Sequence, residues 1–278
     1  MHLPADPLID KTFAIAASLR PKARRVHVID LYGGSSPNAM KVVLMLEELQ
    51  LPYTFIEVNA FRGEQYSPEF LKLNPLGKYP VIIDHSGAGP DQPIFESGAI
   101  LQYLAETYDK SGLLPASGPA RWEVLQWLTV QVAWVGPMLG QHVHFRIHPS
   151  ESGGYAAGRY KNLAIRVFDV LDARLATQPY LAGANYSIAD IATYPWVRVL
   201  KSLGFAWADY PHLKKWFDAI GGRPAAVETE LRYKRLASAM AFPASEEDLN
   251  RFFGRSGGPE VHFEMLRPNS PPVTSERS

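Results

Sequence analysis

The spacing of apolar residues changes along the chain, and its first part predicts a strand, a helix and a second strand. Residues 26–31 form a strand-like segment, and residues 53–58 alternate between polar and apolar side chains as a half-buried strand does. Between them, residues 39–49 carry apolar side chains at helical spacing, namely Val42, Met45, Leu46 and Leu49. This order predicts that the two strands are parallel neighbours.

The following segment predicts two more strands and two helices. Residues 74–84 predict a turn that enters a strand through Pro80, and residues 93–95 predict a short strand that pairs with it as an antiparallel hairpin. A serine–proline pair at 67–68 predicts a short helix before the hairpin, and residues 96–108 predict another after it. The result is a βαβ unit followed by a ββα unit around one small mixed sheet.

Strand patterns stop at a segment rich in Gly, Pro and Ser, and only helical patterns follow. The predicted helices cover 122–135, 155–176, 191–200 and 211–220. In the second of these, the apolar residues expected to face inward are Leu163, Val167, Val170 and Leu171. The chain therefore combines an α/β part with an all-α part.

This pattern divides the chain into five segments. We expect an N-terminal extension (1–25), a sheet-containing domain (26–110), a linker (111–119), an all-helical domain (120–242) and a polar, partly ordered C-terminal tail (243–278).

Composition and charge narrow the class of protein. The 278 residues include 28 basic and 28 acidic side chains, and a balanced charge does not favour a nucleic-acid or membrane surface. We find no apolar run long enough to span a bilayer and no secretory signal pattern. We therefore expect a cytoplasmic protein with no nucleic-acid or membrane partner.

The chain contains no cysteine, which excludes a disulfide framework, a thiolate metal site and a C-x-x-C redox pair. Any thiol chemistry therefore needs a sulfur that arrives with the substrate. The eight histidines form no H-E-x-x-H pattern. His142, His144 and His148 lie close in sequence, but without an acidic partner at helical spacing we expect a polar pocket wall or surface and no metal.

The loop at 32–38 is the best candidate for chemistry. Ser36 is suited to cap the helix that follows, Pro37 suits its first position, and Asn38 lies in its first turn. Backbone N–H groups there lack intrahelical acceptors and favour an anion such as a thiolate. The alternative is an ordinary capped loop without catalytic function.

Several short motifs resemble the glutathione transferase superfamily, and in particular its Nu class of bacterial disulfide-bond reductases and their fungal relatives. The motifs are Ser36-Pro37-Asn38 followed by 46–49, Lys78-Tyr79-Pro80, 95–101, 126–128, 136–141 and the capping box Ser187-x-x-Asp190 within 186–191. The resemblance covers about 28–226. It implies a thioredoxin-like N-terminal βαβ-ββα domain, an all-helical C-terminal domain and a homodimer.

The resemblance also implies that glutathione is the co-substrate, without a metal. Asn38 and Ser36 would be catalytic, next to the sulfur, although the class usually has threonine where Ser36 stands. The residues expected to bind glutathione or a second ligand are Asn38, Gln65, Lys78, Tyr79, Glu96, Ser97 and Arg159. Tyr32 could be a thiol-activating tyrosine, but we expect it to pack in the core.

The resemblance favours disulfide reduction with two glutathione molecules in one cleft, near Trp134, Met138, His142 and Phe145. One alternative is conjugation to an aromatic electrophile, or glutathione-dependent cleavage of an ether or thioether. Others are a non-catalytic regulatory protein that binds glutathione and a structural module with a vestigial site.

Overall fold

A mixed sheet of four strands forms the first half of the protein. The structure is a computed structural model and describes residues 28–87, 92–147, 154–239 and 245–253, so the predicted N-terminal extension lies outside the described residues. The strands are β1 (Ile29–Gly33), β2 (Tyr53–Glu57), β3 (Val81–Asp84) and β4 (Ile94–Phe95), in the spatial order β2-β1-β3-β4. β1 and β2 are parallel, and β3 is antiparallel to β1 and β4, which confirms the predicted βαβ unit and hairpin.

Three helices accompany the described part of this sheet: α1 (Pro37–Glu48), α2 (Pro68–Leu73) and α3 (Ser97–Tyr108). Ser36 and Ser67 cap α1 and α2, as their sequence signals indicated. The segment after β2 contains two short 3₁₀ turns, Ala60–Arg62 and Glu64–Tyr66.

The second half is helical, with bounds that differ from those predicted. Its helices are α4 (Gly118–Val130), α5 (Gly136–Ile147), α6 (Tyr155–Leu175), α7 (Ile188–Val197), α8 (Pro211–Gly221), α9 (Pro224–Ala239) and α10 (Glu246–Phe253). α4 begins inside the predicted linker, and a single π-helical turn, Gln131–Val135, joins it to α5. α5 and α9 were not predicted, and α10 lies within the predicted tail.

α1 lies at the centre of the fold. Its residues from Ala39 to Leu46 are all buried, because α1 packs against α3, α7 and α9 and shares a hydrophobic core with buried residues of the sheet. A bidentate ion pair from Arg223 to Glu48, at 2.6 and 2.8 Å, ties the end of α1 to the start of α9. One hydrophobic core therefore runs from the sheet into the helical half. In the described part of the chain, no helix combines the length and apolar character that crossing a bilayer requires.

The capping box at the start of α7 forms as predicted, and its aspartate also accepts hydrogen bonds from residues outside the helix. Asp190 accepts hydrogen bonds from the backbone N–H of Ser187 at 3.0 Å, from that of Leu181 at 2.9 Å and from the Trp216 indole at 2.9 Å. Burial raises the pKa of Asp190, and these hydrogen bonds oppose that effect. One carboxylate thus holds three separate segments of the helical half together.

We predict that Asp190→Ala lowers the free energy of unfolding by about 4 kcal/mol, because it leaves several buried donors without an acceptor. Asp190→Asn keeps the shape and one acceptor oxygen, so we expect about half that loss. Chemical denaturation measures both. A loss below about 1 kcal/mol in the alanine variant would contradict this role for the carboxylate.

Candidate functional site

A cavity of about 420 Å³ lies between the sheet half and the helical half. It brings together five of the predicted site residues: Ser36, Asn38, Gln65, Lys78 and Tyr79. α5 supplies the opposite wall through Gly140, Gln141, His144 and Phe145, and α10 contributes Phe252. The hydrogen-bond donors at the start of α1 therefore face a wall of mixed apolar and polar side chains from the helical half.

Ser36 lies at the N-terminus of α1, where its hydroxyl accepts one hydrogen bond and can donate another. Its backbone is extended, and its Oγ accepts from the Ala39 N–H at 3.2 Å. A hydroxyl that accepts one hydrogen bond still has its own proton to donate. Ser36 can therefore cap the helix and donate to an anion in the cavity at the same time.

Asn38 is oriented by a residue of the helical half. The Trp196 indole N–H donates to Asn38 Oδ1 at 3.0 Å. Because an indole nitrogen is only a donor, the amide oxygen of Asn38 must face Trp196, and the two N–H groups of the amide are left to donate elsewhere. Trp196 therefore fixes the orientation of the Asn38 amide, so that its N–H groups can donate into the cavity.

Two glycines of α5 lie against the Trp196 ring. A Cβ atom on Gly140 would lie 3.5 Å from the indole ring, and one on Gly136 would lie 3.6 Å from it. The motif 136–141, which carried part of the family resemblance, therefore provides a flat face against which the ring packs.

Gln65 presents an unused acceptor to the cavity. Its side chain is buried, and Nε2 donates to the Ala60 carbonyl at 3.2 Å. Its Oε1 atom is buried and has no hydrogen-bond partner among the described residues. A buried acceptor without a partner is costly, so this oxygen is suited to accept an N–H group from a ligand.

The predicted loop at 78–80 forms the third side of the cavity. The Tyr79–Pro80 peptide bond is cis, and Lys78 is exposed at the rim. The Tyr79 ring lies so close to Gly34 that a Cβ atom there would be 2.9 Å from the hydroxyl oxygen. Burial raises the pKa of Tyr79 to about 12, so its hydroxyl is not a base near neutral pH.

The remaining predicted residues lie away from the lining of this cavity. Glu96 and Ser97 are at the start of α3, where Glu96 is exposed and has a positive φ of 66°, and Ser97 is buried. Such a backbone conformation is uncommon for a residue other than glycine and is concentrated at functional sites. Arg159 is on an exposed face of α6, and its neighbour Tyr160 stacks on Phe145 at 5.3 Å.

The expected cleft residues are only partly correct. Phe145 lines the cavity, but Trp134 and His142 do not: His142 is buried with Nε2 3.1 Å from the Leu203 carbonyl oxygen, and Trp134 lies beside Val170 at a separate apolar hollow of about 200 Å³. Met138 packs against the core. The π-helical turn adds a residue to one turn and rotates the later side chains, which a regular helical period does not anticipate.

Two further side chains, Phe252 and Tyr32, bear on the site or its alternatives. Phe252 was not predicted, and it stacks on Phe61 at 4.6 Å. The signal for it was the apolar spacing of Leu249 and Phe252 in the segment that follows Ser245. Tyr32 packs against Phe70 at 6.5 Å, as expected for a core residue. Within the described residues, no cluster of His, Asp and Glu is suited to hold a metal ion.

Comparison with known proteins identifies the family. The glutathione S-transferase N-terminal domain model matches residues 27–106, and the C-terminal domain model matches residues 159–224. The chain is 45% identical over 208 residues to the disulfide-bond oxidoreductase YfcG of Escherichia coli K12, covering 74% of this chain and 95% of that protein. The chain belongs to the glutathione S-transferase family.

Solved structures of related transferases share the fold of this one. A glutathione transferase from Phanerochaete chrysosporium with oxidized glutathione is 33% identical, with a TM-score of 0.71 over 78% of this chain and 99% of that one. A family member from Pseudomonas fluorescens with two glutathione molecules bound is 37% identical, with a TM-score of 0.67 over 75% and 94%. The predicted thioredoxin-like and all-helical architecture of this transferase is confirmed.

We predict that Trp196→Phe raises the thiol pKa of glutathione bound to this transferase by about one unit, because the Asn38 amide loses the bond that orients it. The ultraviolet absorbance of the thiolate as a function of pH measures this shift. Trp127→Phe is a matched control, since the Trp127 indole donates to Glu123 at 3.3 Å, away from the cavity. An unchanged thiol pKa in Trp196→Phe would remove Trp196 from this role.

Proposed function

We propose that this transferase reduces disulfides, by binding glutathione in the cavity and stabilising its thiolate beside Ser36 and Asn38. The observation that carries the proposal is a pair of side-chain donors at the start of α1, aimed at a cavity in a chain that has no cysteine. The attacking sulfur therefore comes from the ligand. The name of the Escherichia coli relative and the ligands of the solved relatives support the same conclusion.

The energetics are adequate for thiol activation. Lowering the thiol pKa by one unit requires about 1.4 kcal/mol of preferential stabilisation of the anion. The Ser36 hydroxyl, the Asn38 amide and the first-turn N–H groups of α1 each contribute about 1 kcal/mol as hydrogen-bond donors. Two or three of these donors lower the pKa enough to populate the thiolate at neutral pH.

The protein has a group complementary to each end of the glutathione tripeptide. Gln65 Oε1 and the Tyr79 backbone would pair with the ligand backbone, and the Lys78 ammonium would meet the glycyl carboxylate. Ser97, at the start of α3, would hold the γ-glutamyl carboxylate, and Glu96 would accept from its ammonium group. Arg159, on α6, would contact a second ligand.

The proposed reaction uses two glutathione molecules. The first thiolate attacks one sulfur of the substrate disulfide, forms a mixed disulfide and releases the other sulfur as a thiolate, which takes a proton. A second glutathione thiolate attacks the mixed disulfide, and oxidized glutathione and the second product thiol leave. The substrate gains two electrons, and both come from glutathione.

Conjugation to an aromatic electrophile is the second candidate, and the apolar wall favours it. Phe145 and Phe252 line the cavity opposite the donors, where they could stack on an aromatic substrate. Turnover of hydroxyethyl disulfide and of an aromatic halide by the same preparation separates the two reactions. Glutathione binding without turnover of either would support a regulatory protein, and no effect of glutathione on Tm would support a vestigial site.

We also propose the finer assignments that the resemblance implied. These are membership of the Nu class, a division into domains at 26–110 and 120–242 with a linker at 111–119, and a cytoplasmic location, where thiols are kept reduced. A homodimer is supported by exposed apolar side chains on α4, the π-helical turn and α6, namely Trp122, Val132, Trp134 and Val170. Val170 was expected to face inward, but it is 47% exposed.

We predict that Asn38→Ala lowers kcat/KM for hydroxyethyl disulfide about 100-fold, the loss typical of a donor to a developing or stabilised anion. Ser36→Ala should cost about tenfold, because first-turn N–H groups remain. Ser36→Thr keeps the hydroxyl and is the matched control, for which we expect a rate within about twofold of the original protein. Equal rates in the original protein and Asn38→Ala would remove Asn38 from the mechanism.

We predict that Trp134→Glu shifts the protein from dimer to monomer, because it places a charge in an apolar surface. Light scattering during size-exclusion chromatography measures the mass. Lys161→Glu, on the exposed surface of α6, is the control for charge alone. A Trp134→Glu variant that keeps the dimer mass would place the interface elsewhere.

A further inference from the structure

Lys41 is a buried lysine that the proposed reaction does not use. Its side chain is 1% exposed and lies in the middle of α1. Its Nζ atom donates to Ser97 Oγ at 3.1 Å and to Gln131 Oε1 at 2.6 Å. Residues of α1, of the start of α3 and of the π-helical turn therefore meet at one buried nitrogen. Lysine is almost never fully buried without a partner, so this arrangement calls for a physical reason.

Near neutral pH, the charged and the neutral forms of Lys41 are present in comparable amounts. Burial lowers the pKa of Lys41 to about 7, and the nearby carboxylate of Glu96 opposes this effect. Gln131, on the π-helical turn, is neutral. Charged groups on the helices packed against α1 are engaged with other partners, in the pairs Asp190–Trp216, Arg198–Glu230, Arg223–Glu48 and Glu106–Arg121. A new anion near Lys41 would therefore shift its protonation.

The protonation of Lys41 determines which way the Ser97 hydroxyl can donate. An ammonium group has three donors and no acceptor, so Ser97 Oγ must accept from it and must direct its own proton elsewhere. A neutral amine has a lone pair, and it can take the Ser97 proton as a hydrogen bond. The charged lysine thus leaves the Ser97 hydroxyl free for a ligand, and the neutral lysine competes with the ligand.

We propose that Lys41 is a positioning residue whose charge turns the Ser97 hydroxyl toward the γ-glutamyl carboxylate, so that glutathione binding takes up a proton. This inference rests on the proposed function, in which Ser97 holds that carboxylate. Ser97 and the first-turn N–H groups of α3 contact the ligand, and Lys41 acts through Ser97 from behind it. Gln131 holds the ammonium in place, because its amide oxygen faces a group that is only a donor.

The sign of the pH dependence follows from linkage. A bound carboxylate beside Ser97 favours the ammonium form and raises the pKa of Lys41 in the complex. Below the pKa of the free protein, Lys41 is charged in both states, and affinity does not depend on it. Between the two pKa values, binding requires proton uptake, so affinity falls as pH rises above about 7.

Calorimetric titration with S-methylglutathione tests this, because that ligand has no thiol to titrate. Titrations at pH 7.0, 7.5, 8.0 and 8.5, each in two buffers of different ionisation enthalpy, give the affinity and the number of protons taken up. For the original protein we expect Kd to rise about tenfold across this range, with an uptake that approaches one proton per ligand. Lys41→Met should show weaker binding at pH 7.0, a flatter profile and less uptake by up to one proton.

Lys78→Met is the matched control, since it removes a lysine from the other end of the proposed ligand. It should weaken binding at every pH and keep the proton uptake, because the buried amine is still in place. We expect Lys41→Met to fold, because methionine fits the volume, with a Tm a few degrees below that of the original protein, because the buried Gln131 Oε1 loses its donor.

Each outcome bears on a different claim. Equal proton uptake in the original protein and Lys41→Met, with binding retained in both, would overturn the role of Lys41 and leave the proposed function intact. Failure of the original protein to bind S-methylglutathione at any pH would overturn the glutathione site itself, and the inference with it. A loss of uptake confined to Lys41→Met supports the inference.

Discussion

The hydrogen bond from Trp196 to Asn38 is the interaction on which the candidate site depends. It joins α7, at the centre of the helical half, to the loop that begins α1 in the sheet half. Because the indole is only a donor, the bond decides which atom of the Asn38 amide faces the cavity. The ring in turn packs beside Gly136 and Gly140 of α5. The chemistry of the loop is therefore completed by the other domain.

The same logic applies at the start of α3. Ser97 belongs to the sheet half, but the Lys41 ammonium behind it is held by Gln131 from the π-helical turn. A buried ammonium carries a desolvation cost that an apolar side chain of similar size would avoid. Two polar side chains of the helical half, Trp196 and Gln131, thus reach sites in the sheet half. A sheet domain folded on its own would lack both orienting contacts.

The cavity walls have different chemical character, and this difference shapes the choice between reactions. Ser36, Asn38, Gln65 and Lys78 supply donors, an acceptor and a cation for a polar, charged tripeptide. Phe145 and Phe252 face them with aromatic surface. The polar wall suits glutathione, which the solved relatives bind. The aromatic wall would contact the second reactant. Phe252 comes from α10, so a segment beyond the region of family resemblance helps to form the aromatic wall of the cavity.

The sequence by itself determined the order of strands and helices in the sheet half, the caps of α1, α2 and α7, the family and the loop that carries Ser36 and Asn38. These features depend on local spacing and on short motifs, which a single chain displays directly. Only the tertiary structure decided that Trp196 orients Asn38, that Lys41 is buried behind Ser97, and that Trp134 and Val170 face away from the cleft. Trp196 and Asn38 are 158 positions apart. Trp134 lies within the π-helical turn, and a regular helical period does not reveal such a turn.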